Sequence, residues 1–333
     1  MPQAWAARRA ATEESRCKTK RSVIATGLLS FVIVVGCGDP PDPRSDDVPT
    51  KGHVLILADE DLRDLVEAEE FMFESIYDKA TLDIRYLPEA ELLKAVLNDS
   101  VRCWIGTVQP GGEQEAYYAK RNIKAHVVPI ATDGIAVLAN PAIDLTALSA
   151  GEVLHALTYP QTFVAKGWHL ASVDGPLDKP RPWFASAGSG VARGLIDSLI
   201  GSVAEQRIVA MADPDLPSLI DRIANDPLSL GFVSFGRVSD LDNPGMKALR
   251  DRVKLLAISA TDSGTAVLPS QSTLADGSYP LRRPVYMVLC EGKSGLGTGF
   301  VSFVANHKGQ RIILKHGLAP NKVPPREIEI VTQ

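Results

Sequence analysis

Two hydrophobic periods alternate along the chain from residue 51 onward. Compact apolar runs of about four to eight residues predict strands, and apolar residues three or four positions apart predict amphipathic helices. The runs that predict strands lie at 53–58, 82–87, 101–107, 181–186, 207–212, 230–235, 253–259 and 279–289. Because predicted helices separate most of these runs, the pattern indicates an α/β fold with largely parallel strands. The length favours two lobes of about 100–150 residues each.

Three predicted helices have recognisable faces or ends. The first, residues 59–80, has an apolar face that comprises Leu62, Leu65, Val66, Phe73, Ile76 and Tyr77. Another is predicted to begin at Ser149, because Ser149 and Glu152 match a capping box. Residues 295–317 predict a glycine-rich start and one C-terminal helix that Gly317 ends.

Two segments bear on how the strands are arranged. Residues 123–141 predict two strands with a break near 132–134, where Thr, Asp and Gly interrupt the apolar run. The run at 279–289 contains Pro284. Proline has no backbone N–H, so Pro284 predicts an edge or hinge-like position.

The N-terminal segment has the pattern of a secretory signal. Lys18, Lys20 and Arg21 precede an uncharged apolar run at 22–36, which ends at Cys37. The run is shorter than the roughly 20 residues that a membrane span needs, so we interpret 1–37 as a signal peptide. The alternative is a single N-terminal membrane anchor. Either interpretation places the remainder outside the cytoplasm, with the Pro- and Asp-rich residues 38–50 as a flexible tether.

The net charge argues against nucleic acid as a partner. The chain has a net charge of −5, and removing 1–37 makes it more acidic, because that segment has more basic than acidic residues. An acidic exported protein is a poor candidate for binding nucleic acid.

Cys103 and Cys290 lie in strand-like runs. They are either two buried thiols or, as the oxidising compartment allows, a disulfide.

The stretch around Ser189 is the strongest candidate for chemistry, since strand-forming residues give way there to Ser-Ala-Gly-Ser-Gly and a helix. A nucleophile elbow requires small residues two positions on either side of the serine, but Val191 stands at one of them. A Walker loop at 292–294 lacks its first glycine, where Met287 stands. No His, Cys or carboxylate cluster has metal-ligand spacing. We therefore predict no enzyme activity, no cofactor and no metal.

An anion-binding helix N-terminus fits this stretch better. Unpaired N–H groups and the positive end of the helix dipole attract an oxyanion there, and glycine allows it to approach the backbone. The alternative is an ordinary helix cap by Ser189. Residues 106–110 offer a second set of donors after a strand, and 58–62 form a third, acidic strand-to-helix junction. The candidate ligand-binding residues are Asp59, Glu60, Thr107, Gln109, Asp133, Ser186, Gly188, Ser189 and Gly190.

Several segments together resemble one family. They lie at 131–157, 230–235, 279–289 and 294–320, of which the last is the most specific. In these segments the chain resembles the substrate-binding lipoproteins of phosphate-type ABC transporters, in the form typical of Bacteroidota. The Val-Val-Gly before Cys37 is similar to a lipobox, which implies that Cys37 is lipidated.

The resemblance implies a type II periplasmic-binding fold, in which two α/β lobes joined by two crossing strands trap a small ligand. Lobe one would comprise 51–132 plus 260–333, and lobe two 133–259. The implied function is capture of a small anion, phosphate, and its delivery to an ABC permease. The protein would be a monomer in the cell envelope, facing the periplasm, with its lipid in the membrane.

The chain departs from the family at the phosphate motif. Ala185, Ala187 and Val191 stand where the family has arginine, aspartate and threonine. Loss of a charge-assisted arginine contact removes about 1.5–3 kcal/mol. The alternative function is therefore a sensor or scaffold protein that has kept the binding fold and lost phosphate binding.

Overall fold

The computed structural model describes residues 47–98, 101–170, 177–199 and 208–322. The predicted signal peptide 1–37, with Cys37, and most of the tether 38–50 lie outside the described residues. Among those that are described, no helix is long and apolar enough to cross a membrane.

The strands follow the predicted runs in their order along the chain. They are β1 Gly52–Asp59, β2 Ala80–Leu87, β3 Cys103–Gly106, β4 His126–Ala139, β5 Ala147–Ser149, β6 Arg181–Phe184, β7 Met211–Ala212, β8 Ser229–Ser234, β9 Lys254–Leu255, β10 Ala257–Ser259, β11 Arg282–Leu289 and β12 Ala319–Pro320. The run at 207–212 is a strand only at its end, and 253–259 is divided between β9 and β10.

The helices alternate with these strands. They are α1 Arg63–Ile76, α2 Glu89–Ala95, α3 Glu113–Lys120, α4 Ala150–Thr158, α5 Gly190–Leu199, α6 Leu216–Asn225, α7 Gly236–Ser239, α8 Pro244–Arg250, α9 Gln271–Ala275, α10 Leu296–Val304 and α11 His307–Lys315. Single turns of 3-10 helix occupy Glu60–Leu62 and Pro160–Thr162. The capping box of Ser149 with Glu152 at the start of α4 is confirmed.

β4 is the strand that connects the two halves of the sheet. The strand order is β2-β1-β3-β11-β4-β8-β6-β7. Up to Gly134 β4 pairs with β11, and from Ile135 onward it pairs with β8. The predicted break near 132–134 is therefore wrong. β4 continues through these residues as one strand. Only its pairing changes there, from β11 in its first half to β8 in its second half.

The position of Pro284 follows from the same arrangement. β11 lies between β3 and β4, but its pairing with β3 begins only at Tyr286. At Pro284 the strand pairs with β4, opposite Thr132. The first half of β11 therefore does not pair with β3 and is locally an edge. Proline is tolerated there, because its missing N–H is not needed for a hydrogen bond to β3.

Buried apolar residues of the described chain form three clusters. Two cover the opposite faces of the β1–β3 sheet, one beneath α1, α10 and α11 and the other beneath α2 and α3. The third lies around β4, β6 and β8 with α4, α5 and α6. It also includes Leu274, Tyr279 and Leu281, from the segment that precedes β11. The lobe boundaries after residues 132 and 259 stay predictions.

The two cysteines belong to different clusters. Cys103 lies in the cluster beneath α1, and Cys290 lies on the other face of the sheet with Trp104 and Tyr118. Both are buried free thiols. Their side chains point to opposite faces, so the alternative of two thiols is correct and the disulfide is not formed.

The C-terminal region differs from its predicted form. It contains two helices, α10 and α11, separated at Ala305 and Asn306, where one helix was predicted. Gly317 follows α11 with a φ of 82°, which confirms it as the residue after the helix end.

Candidate functional site

Four strand-to-helix junctions meet at one buried point. We call the residues there the central cluster, which comprises Asp59, Asp61, Glu89, Thr107, Asp133, Ser189, Gly190 and Arg283. Three of the junctions follow β1, β2 and β3, at the carboxyl ends of parallel neighbours, which lie at one edge of a sheet. The fourth follows β6 and is the start of α5.

Gly190 shows how closely these junctions approach. A β-carbon on Gly190 would lie 2.5 Å from Oδ2 of Asp59, 2.9 Å from Nη1 of Arg283 and 3.2 Å from Cδ of Glu89. The backbone at the start of α5 therefore lies directly on three charged side chains. Only glycine leaves room for this approach.

Ser189 connects α5 to the turn after β1. Its Oγ donates a 2.6 Å hydrogen bond to Oδ2 of Asp61 and accepts a 3.0 Å hydrogen bond from the N–H of Val191. Ser189 is 3% exposed and Asp61 is 2% exposed. Ser189 thus caps its helix and holds a carboxylate at the same time, so the two interpretations of this serine are compatible.

Thr107 holds a second carboxylate. Its backbone N and its Oγ1 both donate to Oε1 of Glu89, at 2.8 and 2.6 Å. The buried Oε2 of Glu89 has no hydrogen-bond partner in the described part of the chain. An amide and a hydroxyl directed at one oxygen atom form a cradle for an oxyanion, and Glu89 occupies it.

Arg283 is the buried cation of the central cluster. Its Nε donates a 3.0 Å hydrogen bond to Oδ2 of Asp133, which also accepts from Oγ of Ser234 at 2.8 Å. Nη1 lies 3.9 Å from Oδ2 of Asp59 and 3.9 Å from Oδ2 of Asp61. Nη1 and Nη2, in a side chain that is 2% exposed, have no hydrogen-bond partner among described residues.

The charges of the central cluster are unbalanced. Four carboxylates, from Asp59, Asp61, Glu89 and Asp133, surround Arg283, and Arg237 adds a second cation 3.7 Å from Asp61. Burial raises the pKa of Asp59 well above its usual range, and the neighbouring charges of Asp61 and Glu89 raise it further. Asp59 therefore takes up a proton more readily than an exposed aspartate does.

The structure brings most of the predicted ligand-binding residues to this point. Asp59, Thr107, Asp133, Ser189 and Gly190 belong to the central cluster. Glu60 and Ser186 flank it, and each has a buried side-chain oxygen without a hydrogen-bond partner in the residues described. The carbonyl of Gly188 accepts from the N–H of Ala90 at 3.3 Å. Gln109 is exposed in the loop after β3 and is not brought into the cluster.

Two members of the central cluster, Glu89 and Arg283, were not predicted, and Asp61 was predicted only as part of the acidic junction 58–62. A period of two along β11 would have indicated Arg283, because Leu281, Val285 and Met287 are buried at alternate positions. Glu89 has the pattern of an ordinary first-turn helix residue, and no sequence signal separates it from that role.

The comparisons assign the chain to a family. The profile of the PBP superfamily domain matches residues 49–308, which is more than half of the chain. The chain therefore belongs to the PBP superfamily.

Part of the chain also matches curated relatives. The chain is similar to the phosphate-binding protein PstS 2 of Streptococcus pneumoniae, with 28% identity over 117 residues, 35% of this chain and 33% of that protein. The chain thus matches about a third of the length of this curated relative.

Solved structures share the fold. One is described as a phosphate ABC transporter substrate-binding protein with bound phosphate from Clostridium perfringens, at 17% identity and a TM-score of 0.64, over 81% of this chain and 100% of that one. Another is an ABC-type phosphate transport receptor from Vibrio cholerae, at 14% identity and a TM-score of 0.59, over 81% and 100%. The predicted type II periplasmic-binding fold, with two α/β lobes joined by crossing strands, is confirmed.

Proposed function

We propose that this chain is a non-catalytic solute-binding protein that captures phosphate at the central cluster and delivers it to an ABC permease. The observation that carries the proposal is the convergence of anion donors from opposite sides of one cleft. Gly190, at the start of α5, lies beside Arg283 and Glu89, and the amide and hydroxyl of Thr107 both donate to Glu89 from the other side. Dehydrated phosphate needs such a set of buried donors.

The excess of carboxylates is compatible with a protonated phosphate. Asp59 has a buried oxygen, Oδ2, with no hydrogen-bond partner in the described chain. A carboxylate oxygen can accept the hydrogen bond that a P–OH group donates. Glu89 offers a second such oxygen from the facing junction. The names of the relatives, which are phosphate-binding and phosphate-transport proteins, support the same ligand.

The cellular setting follows from the same proposal. The chain would act outside the cytoplasm, facing the periplasm, as a monomer that its lipidated Cys37 anchors in the membrane. A permease partner would receive the anion after the lobes separate. Radioactive phosphate uptake by cells that lack this chain tests delivery, and normal uptake would contradict it.

Phosphate titration of the purified protein by calorimetry, at two salt concentrations, tests binding. We expect saturable heat below millimolar phosphate that weakens as salt rises, because the contacts are charge-assisted. Ser189→Ala tests whether this site is responsible, with Ser198→Ala as the matched control on the exposed side of the same helix. Absence of heat at millimolar phosphate, or an unchanged affinity in Ser189→Ala, would contradict the proposal.

A further inference from the structure

Asp61 makes the contacts that an anionic ligand would make at the start of α5. Its Oδ2 accepts the 2.6 Å hydrogen bond of the Ser189 hydroxyl and lies 3.9 Å from Nη1 of Arg283. Its Oδ1 lies 3.7 Å from Nη1 of Arg237. Both oxygens of one carboxylate thus face a hydroxyl and two guanidinium groups, at a helix N-terminus that favours negative charge.

The carboxylate satisfies these donors incompletely. A distance of 3.9 Å between Nη1 of Arg283 and Oδ2 of Asp61 is too long for a hydrogen bond. Both terminal nitrogens of Arg283 have no hydrogen-bond partner within the described chain, although the side chain is almost completely buried. A buried charged donor without a partner is costly, so a ligand oxygen that reached these nitrogens would bind better than Asp61 does.

The contact also joins the two sides of the cleft. Asp61 belongs to the 3-10 turn after β1, whereas Ser189 lies after β6 and Arg237 lies in α7 after β8. The bond from the N–H of Ala90 to the carbonyl of Gly188 crosses the same boundary. The closed arrangement is therefore assembled from contacts between protein atoms, with Asp61 at their centre.

We propose that Asp61 is an intramolecular competitor for the anion. Its carboxylate occupies the start of α5 and closes the cleft, and the ligand must displace it before binding to Ser189 and Arg283. Asp61 thereby determines which anions bind. Only an anion that forms more hydrogen bonds than a carboxylate offsets the free energy needed to displace Asp61. This inference rests on the proposed anion-binding function of the central cluster.

The experiment compares the full chain with three variants. Asp61→Ala removes the carboxylate, and Asp61→Asn removes its charge while keeping its shape. Asp78→Asn is the matched control, because Asp78 is an exposed aspartate beyond the far end of α1. Small-angle X-ray scattering without ligand measures the radius of gyration, and calorimetry with inorganic phosphate measures affinity.

We expect Asp61→Ala to increase the radius of gyration without ligand and to bind phosphate about tenfold more tightly, as expected for loss of a charge-assisted competitor. Asp61→Asn should change both quantities in the same direction and to a smaller extent, and it replaces Asp61→Ala if the latter does not fold. Asp78→Asn should match the wild type. An unchanged radius of gyration, or phosphate binding that weakens, overturns the inference.

The two measurements separate this inference from the proposed function. If neither the wild type nor any variant binds phosphate, the proposed ligand is wrong. In that case the scattering comparison still decides whether Asp61 closes the cleft, because the scattering is measured without ligand.

Discussion

Arg283 and Asp133 lie directly opposite each other on β11 and β4, and Nε of Arg283 donates a 3.0 Å hydrogen bond to Oδ2 of Asp133. The pair lies next to Gly134, the last residue of β4 that pairs with β11 before β8 takes over. Hydrogen bonds from Ser234 and from the N–H of Gly236 hold Asp133 from the β8 side. One ion pair thus fixes the guanidinium of the site to the strand that both halves of the fold share.

Loss of this guanidinium should destabilise the protein. Arg283→Gln leaves the buried carboxylates of Asp133 and Asp59 without their cation, and breaking a buried pair in this way costs about 3–5 kcal/mol. We expect a loss of that order in the free energy of unfolding, measured by urea denaturation at neutral pH. Arg282→Gln is the matched control, because Arg282 is the exposed neighbour. Equal stability of the two variants would contradict the role of Arg283.

The fold was largely predictable because strand and helix periods are local properties. The apolar face of α1 illustrates both the success and its limit. Leu62, Leu65, Val66 and Phe73 are buried as predicted, but Ile76 is 39% exposed at the end of the helix. The spacing of apolar residues identifies which side of a helix is buried. It does not show how far along the helix the neighbouring helices cover that side. That extent depends on α10 and α11, which lie more than 200 residues away.

Glu69 is one of two glutamates of α1 that are buried although the period did not predict them. Its side chain is buried, and neither carboxyl oxygen has a hydrogen-bond partner in the described residues. Burial raises the pKa of Glu69 from 4.5 to about 9. The folded chain therefore keeps this proton at neutral pH, whereas the unfolded chain releases it.

The stability of the protein should consequently fall as pH rises between these two pKa values. Below the lower value both states bind the proton and the contribution of Glu69 is fully present. Above it, each pH unit costs up to about 1.4 kcal/mol until the higher value is reached. Glu69→Gln cannot ionise, so its free energy of unfolding should depend less on pH in this interval. Urea denaturation across the interval measures this, with the exposed Glu115→Gln as control, and parallel pH profiles of Glu69→Gln and the wild type would contradict it.

The site was less predictable than the fold, because its chemistry depends on contacts between distant residues. The strand-to-helix junctions were visible in the sequence, and Asp59, Thr107 and Ser189 were identified from them. Glu89 was missed, since a glutamate in the first turn of a helix is common at exposed positions. Its role depends on Thr107, 18 residues away, which directs two donors at it. The pairing of β2 and β3 with opposite sides of β1 brings these residues together.

The two cysteines should be inert in the folded protein. Cys103 is fully buried and Cys290 is 4% exposed, and burial raises the pKa of both thiols. The thiolate is the reactive form, so neither residue should be alkylated. Treatment with iodoacetamide, followed by peptide mass spectrometry, should show modification of both residues after unfolding and of neither before it. Alkylation of the folded protein at either cysteine, or a peptide that links the two, would contradict this.

Gly190→Ala should prevent the cleft from closing. The added methyl group would lie 2.5 Å from Oδ2 of Asp59 and 2.9 Å from Nη1 of Arg283, so α5 must move away from β1 to accept it. We expect a larger radius of gyration and weaker phosphate binding, because donors on the two sides of the cleft can no longer reach one ligand together. Alanine also favours a helix over glycine by about 1 kcal/mol, so the loss should appear in closure and binding more than in the stability of α5.

Gly111→Ala provides the control for this variant, since no described residue beyond its two chain neighbours has an atom within 4 Å of the position that its β-carbon would take. It should retain the radius of gyration and the phosphate affinity of the wild type. If Gly190→Ala behaves like Gly111→Ala in scattering and in calorimetry, the approach of α5 to Asp59 is not required for binding. The donors of Ser189 and Thr107 would then have to act on the ligand from separated lobes.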